Sequence, residues 1–300
     1  MADDSALELP SPKGRVLLIA GSDSSGGAGV QADIKTCAAF GAYSQTALTA
    51  ITAQNTLGVQ RVELTDPALV TAQIESAADI GVDVVKIGML GSRAIMGAVA
   101  SALEGPLADA ISVLDPVMVA TSGDRLMDAD AEGFLRDTLV PLADLLTPNV
   151  PEAEALTGRR IADAQDLRAA GEALLEMGAG AALLKGGHLE GPMVVDILLT
   201  EDGVATMTAP RLQTTDTHGT GCTLASAVAA NLALGLDIGD AVATAREFVY
   251  EAIRTAPGFG SRGERGHGPL NHGLAPQVGD VPEPDDSANP FAALKGLGKT

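Results

Sequence analysis

Apolar residues fall along the chain in two alternating kinds of run. The short kind is almost purely aliphatic: Arg15–Ala20 (RVLLIA), Asp83–Ile87, Ile111–Leu114, Asp144–Leu146 and Ala181–Leu184. Such unbroken runs, bounded by turn residues, predict strands buried on both faces. Ser44–Ala53 reads as a further strand ending in Gln54-Asn55. In the longer kind, apolar positions recur every three or four residues and predict helices: about Val30–Phe40, Pro67–Gly81, Ser92–Glu104 with Ser92 as its cap, within Leu126–Leu142, Ala164–Met177, Thr223 to about Leu234, and Ile238–Ala256. Met193–Leu199 and Val204–Thr208 flank Thr200-Glu-Asp-Gly203, a hairpin with Asp202-Gly203 as its turn. Strand and helix alternate through 15–235. This predicts an α/β fold: one mostly parallel sheet with helices on both faces, in one domain spanning 15–277. Residues 1–14 read as a flexible N-terminus. From Val278 onward Pro282, Pro284 and Pro290 break any period, so 278–300 reads as a disordered tail. The tail closes on Gly296-Leu-Gly-Lys-Thr300, which mimics the end of a phosphate-binding loop. Ala293 stands where that motif needs its first glycine, so no nucleotide site is expected there.

Composition narrows the class. Aromatic residues make up 2% of 300 and Trp is absent, so the core must be aliphatic. A formal charge of −20 argues against a nucleic-acid partner, which calls for Lys/Arg patches, but not against a small phosphate-bearing ligand. Two cysteines, Cys37 and Cys222, are too few for a disulfide framework and fit a reducing cytoplasm. Met1–Pro12 has no signal-peptide pattern, and no run approaches the ~20 apolar residues of a membrane span.

The chemistry gathers at turns. Asp216-Thr-His-Gly-Thr-Gly-Cys-Thr223 reads as a loop becoming a helix. Gly219 and Gly221 leave the backbone bare where the helix begins, so its unpaired N–H groups form an anion hole. Cys222 falls in the first turn, where a thiol's pKa tends to fall and the group can accept a proton. The competing reading is a small-residue cap with an inert cysteine. Gly27-Ala-Gly29-Val-Gln-Ala32 fits a dinucleotide-binding turn, but the acidic residue expected about 20 positions later is missing. That loop also carries Ser22, Asp23, Ser24 and Ser25, suited to a polar small molecule. Asp33, one turn past Gly29, faces either the loop or solvent. Gln54 and Asn55 face the ligand crevice or cap a turn. Glu152 and Glu154 begin a helix, where acidic side chains ordinarily balance the dipole.

Seven segments together resemble one family: IAGSDSSGGAGVQADIKT (19–36), TAQNTLGV (52–59), KIGML (86–90), LDPVMVATSGDRL (114–126), TPNVPEAEALTG (147–158), KGGH (185–188) and DTHGTGCTLASA (216–227). In that order they resemble hydroxymethylpyrimidine/phosphomethylpyrimidine kinases of thiamine biosynthesis, in the ribokinase-like superfamily, over about 15–275. The resemblance implies ATP- and Mg²⁺-dependent phosphorylation of 4-amino-5-hydroxymethyl-2-methylpyrimidine, then of its monophosphate. It also implies a cytoplasmic homodimer with no nucleic-acid or membrane partner. Carried over, Asp23, Asp33 and Gln54 line the pyrimidine site, with Met89 and Val117 as apolar walls. Gly219, Gly221 and Cys222 would act on the transferred phosphoryl group, with Cys222 as base. Lys185 and Thr220 would lie at the nucleotide phosphates, and Asn149 and Glu152 would hold Mg²⁺. The nearest alternative is a pyridoxal or pyridoxine kinase. A non-catalytic sensor on the same fold is a second, and it has less need of a phosphoryl hole beside a metal pair.

Overall fold

The computed structural model describes residues 12–119, 127, 129–260 and 266–274. The tail expected at 278–300 and most of the N-terminal segment lie outside them. The first strand is β1 (Arg15–Ala20), followed by helix α1 (Gly29–Phe40) and β2 (Tyr43–Leu48). A hairpin, β3 (Ala50–Asn55) and β4 (Gly58–Leu64), comes next. Then follow α2 (Pro67–Ala78), β5 (Val84–Ile87), α3 (Arg93–Glu104), β6 (Ile111–Leu114), α4 (Ala129–Phe134), β7 (Leu145–Leu146), α5 (Val150–Thr157), α6 (Ala164–Glu176) and β8 (Ala182–Leu184). The chain closes with the antiparallel pair β9 (Met193–Thr200) and β10 (Gly203–Pro210), then α7 (Thr220–Ala233) and α8 (Ile238–Arg254).

Eight strands form one sheet in the order β10-β9-β8-β7-β6-β5-β1-β2. From β8 to β2 every pairing is parallel; β9 and β10 add an antiparallel edge. Alternate residues of each strand feed opposite faces. Leu17 and Ile19 of β1 join one apolar cluster, with α2, α3, α5 and α6. Val16 and Leu18 join the other, with α1, α7 and α8. That double burial is why the parallel strands read as continuous apolar runs. With so few aromatics, the second cluster relies on small residues. The interior of α7 (TLASAVAANL, 223–232) is buried throughout, and the rings of Phe40 and Phe248 meet at a tilt of 59° with centroids 5.0 Å apart.

Two expectations change. Ser44–Ala53 is not one strand. Thr49 is pinned where it would continue: its N–H donates to the Ala20 carbonyl at 3.1 Å and its Oγ1 to that of Met89 at 2.6 Å. Beyond it the chain leaves the sheet and forms the separate β3–β4 hairpin. Gln54 and Asn55 therefore sit at a hairpin end, not at the end of a parallel strand. The helix expected within Leu126–Leu142 is short. α4 widens into a π-turn over Leu135–Leu139 and tightens into a 3-10 turn over Val140–Leu142. Pro141, which has no N–H to give, stands in that last turn.

Candidate active site

The loops that follow the parallel strands open at one end of the sheet, where ligands bind in open α/β folds. There they line a cavity of about 1150 Å³. Asp23 comes from the loop after β1, Met89 from that after β5, and Asp115 and Val117 from that after β6. Asn149 and Glu152 come from the junction of β7 and α5, Lys185 follows β8, and Gly219, Thr220, Gly221 and Cys222 open α7. Gln54 reaches in from the hairpin, where its Oε1 accepts from Thr52 Oγ1 at 3.3 Å.

Two glycine loops interlock to build the cavity's floor. Gly219 precedes α7 with φ 83°, a left-handed conformation, and a Cβ there would collide with the carbonyl oxygen of Gly27. Asp23 ties the two loops together. It accepts from Ser25 N–H and Ala28 N–H, both at 2.8 Å, and from His218 Nε2 at 2.8 Å. Burial pushes its carboxyl up, but the bonds from His218 and Ser25 outweigh that, and the net shift is downward. Asp23 thus borders the cavity chiefly as the residue that shapes it.

The first N–H groups of a helix lack intrahelical partners. That of Thr220 donates instead to the Thr217 carbonyl at 3.2 Å, and Thr220 Oγ1 does the same at 2.8 Å. Next along the helix, Gly221 and Cys222 face the cavity. Gly221 lies against charge: a Cβ there would be 3.4 Å from Lys185 Nζ and 3.5 Å from Asp115 Oδ2. Lys185 Nζ bonds Asp115 Oδ1 at 2.8 Å and lies 3.9 Å from Glu152 Oε2. Asp115 also accepts from Thr147 Oγ1 at 3.2 Å.

Asn149 and Glu152 cap α5 reciprocally. Asn149 Oδ1 accepts from Glu152 N–H at 3.0 Å, and Glu152 Oε2 from Asn149 N–H at 2.8 Å. Burial pushes Glu152 up to about 7 against the pull of Lys185. Among the described residues no three His, Cys, Asp or Glu side chains cluster as a metal cage.

Two expectations are corrected here. Asp33 does not line the cavity: it is fully buried beneath it, 2.9 Å from Lys86 Nζ, and accepts from Ser226 Oγ at 2.7 Å. Its position one turn into α1 turns it toward β5 and α7, neither toward the loop nor toward solvent. The Cys222 thiol is not lowered. Burial pushes it up to about 11; Lys86 and a bond from Gly29 N–H pull it down, while Asp33 and Asp115 push it further up. Burial is the largest of these effects, and the net shift is upward.

Sequence reasoning passed over Lys86, Asp115 and His218, and also Arg246, whose Nε bonds Asp196 Oδ2 at 2.7 Å on the cavity wall. Lys86 had a signal: a lone charge inside the apolar run VVKI must be paired if that run is a buried strand. Asp115 stands at a parallel strand's C-terminal end, the ligand-binding side. The pairing of Arg246 with Asp196 spans 50 residues and left no local trace.

The family model for phosphomethylpyrimidine kinase matches residues 23–271. The thiamine biosynthesis bifunctional protein ThiED of Geobacter sulfurreducens is 48% identical over 89% of this chain, which spans 54% of that longer protein. The hydroxymethylpyrimidine/phosphomethylpyrimidine kinase of Rhizobium meliloti is 45% identical, over 85% of this chain and 96% of its own length. Among solved structures, pyridoxal kinase from Staphylococcus aureus in complex with AMP-PCP and pyridoxal superposes with a TM-score of 0.77. It is 32% identical, covering 87% of this chain and 94% of that one.

Proposed function

The chain belongs to the phosphomethylpyrimidine kinase family, and from that premise we propose how its cavity performs the reaction. The enzyme is a kinase of thiamine biosynthesis. It phosphorylates the hydroxymethyl group of 4-amino-5-hydroxymethyl-2-methylpyrimidine, then the resulting monophosphate, with ATP as donor. One observation carries the assignment of the reacting centre. The glycine-framed start of α7 meets the Lys185–Asp115 pair at the C-terminal ends of the strands.

Phosphoryl transfer depends on in-line positioning and charge neutralisation more than on covalent help. The N–H groups of Gly221 and Cys222 and the positive end of α7 receive the transferred group. The Lys185 ammonium, with Thr220 nearby, serves the nucleotide phosphates. Gln54 offers an amide to the aminopyrimidine edge, and Met89 and Val117 close on the ring faces. Asn149 and Glu152 fit Mg²⁺: both are hard oxygen donors, and two are too few for an all-protein cage, which suits an ion that keeps waters and phosphate oxygens. Bound there, Mg²⁺ would neutralise phosphate charge. Cys222 takes the hydroxymethyl proton. Its thiol, pushed up to about 11, is protonated at neutral pH in the unliganded enzyme. A thiolate base therefore requires kcat to climb with pH above neutrality, whereas positioning alone leaves kcat flat. Cytoplasmic location and a homodimeric state belong to the same proposal, and light scattering checks the second.

The test is ATP consumption with the hydroxymethylpyrimidine, its monophosphate and pyridoxal, side by side. Turnover of both pyrimidines with poor use of pyridoxal is the expected result; a preference for pyridoxal overturns it. The pyridoxal alternative rests on a relative at 32% identity, against 45% for the Rhizobium meliloti pyrimidine kinase.

A further inference from the structure

A charge inside a buried strand is costly unless paired, and the pairing of Lys86 spans three elements. Its Nζ, on β5, lies 2.9 and 3.0 Å from the two oxygens of Asp33 on α1. Asp33 accepts at 2.7 Å from Ser226 Oγ on α7. All three side chains are fully buried, and the reaction outlined above makes no use of them.

Helix register places this set beneath the reacting thiol. Gly29, which opens α1, lies beside Cys222 in the first turn of α7, just as Gly27 meets Gly219 before it. Four residues on in each helix, Asp33 meets Ser226. The two helices thus run side by side in step, and the Lys86 ammonium enters from the sheet about one turn, ~5.4 Å, below the thiol. At Gly88 a Cβ would come within 3.0 Å of Lys86 Nζ, so the chain above the ammonium carries no side chain there. Four charges act on Cys222: Lys86 from β5, Asp33 from α1, Asp115 from the end of β6 and Lys185 from the end of β8. Of these, Lys86 outweighs either carboxylate at the sulfur.

We infer that Lys86 is a positioning residue for the phosphoryl transfer: clamped by Asp33 and Ser226 under the start of α7, its ammonium stabilises the thiolate of Cys222. This rests on Cys222 taking the proton in the proposed reaction. It also gives the KIGML segment a role besides its apolar wall.

The experiment measures alkylation of Cys222 by iodoacetamide as a function of pH, with peptide mapping to separate it from the sealed Cys37. Lys86→Met leaves Asp33 buried and unpaired and can fail to fold. The double variant Lys86→Met/Asp33→Asn leaves no buried charge behind and carries the measurement in that case. Where Lys86→Met folds, Cys222 should titrate at higher pH and alkylate roughly tenfold more slowly near pH 8, the effect of about one unit in thiol pKa; the double variant, which also removes the opposing Asp33 carboxylate, should shift the same way by less. Its kcat should fall in step while the ATP KM holds. A folded double variant with the wild-type alkylation profile overturns the inference, because a merely structural pair would not move the thiol's titration. Alkylation needs no turnover, so an inactive wild-type protein would sink the kinase reading while this readout still stands.

Discussion

Two lysine–aspartate pairs flank the first turn of α7, and they differ in what surrounds them. Lys86–Asp33 is sealed: both side chains are 0% exposed, with 2.9 Å between nitrogen and oxygen. Lys185–Asp115 is as short, at 2.8 Å, but its lysine borders the cavity with 13% exposure, and Glu152 stands 3.9 Å away. A sealed pair cannot exchange partners, because separating it strands a charge in the core. An open pair can trade a carboxylate for phosphate oxygens as ligand enters. The same pairing of lysine and aspartate is thus fixed in one place and open to exchange in the other, and burial decides which.

The largest test falls on the group between the pairs. Cys222→Ala should lower kcat by about 10²–10⁴-fold, the usual contribution of a general base, with both KM values near wild type. Single-turnover rates well below the melting temperature read the chemical step directly. A near-normal step would leave the donors of α7 and Lys185 as the whole mechanism, and the two pairs would then differ only in location.

Breaking the pairs themselves comes next. Lys86→Met should cost about 3–5 kcal/mol of folding stability, as expected when one partner of a buried pair is removed. Lys185→Met should cost less, because its pair faces the cavity, and should instead raise the ATP KM. Thermal melts and steady-state kinetics on both variants check this. Equal losses of stability would erase the contrast drawn between the pairs.

A third substitution tests the hairpin side of the cavity, away from both pairs. Gln54→Leu leaves polar edges of the pyrimidine unpaired, at about 1–3 kcal/mol of binding. The pyrimidine KM should rise while the ATP KM stays put; no change in either would remove Gln54 from the pocket.

What the sequence made legible follows the same division between local and tertiary causes. β1, β5, β6 and β8 were readable because burial on both faces leaves unbroken apolar runs. The split of β2 from β3 was not, because it depends on Thr49 bonding Ala20 and Met89, which lie far from it in sequence. The cavity's rim was readable because glycines and polar residues cluster where strands end. Asp33 was misplaced for the converse reason: its partners lie 53 and 193 residues away. For Cys222 the helix start is visible in the sequence, but the burial that raises its thiol is not.

The smallest predicted effect concerns Asn149, where a structural and a functional role share one oxygen. Asn149 Oδ1 caps α5 by accepting from Glu152 N–H, and it is also the oxygen proposed to serve Mg²⁺. Asn149→Ala removes both roles. It should cost about 0.5–2 kcal/mol of stability through the lost cap and raise the Mg²⁺ concentration for half-maximal rate. Asn149→Ser separates them. Serine caps a helix about as well as asparagine, so the melting temperature should stay near wild type. Its shorter hydroxyl no longer presents the amide oxygen, so the Mg²⁺ requirement should still rise. If Asn149→Ser restores both stability and the wild-type Mg²⁺ response, the residue only caps α5. The metal would then have to be sought at Glu152 and Asp115, beside the open ion pair.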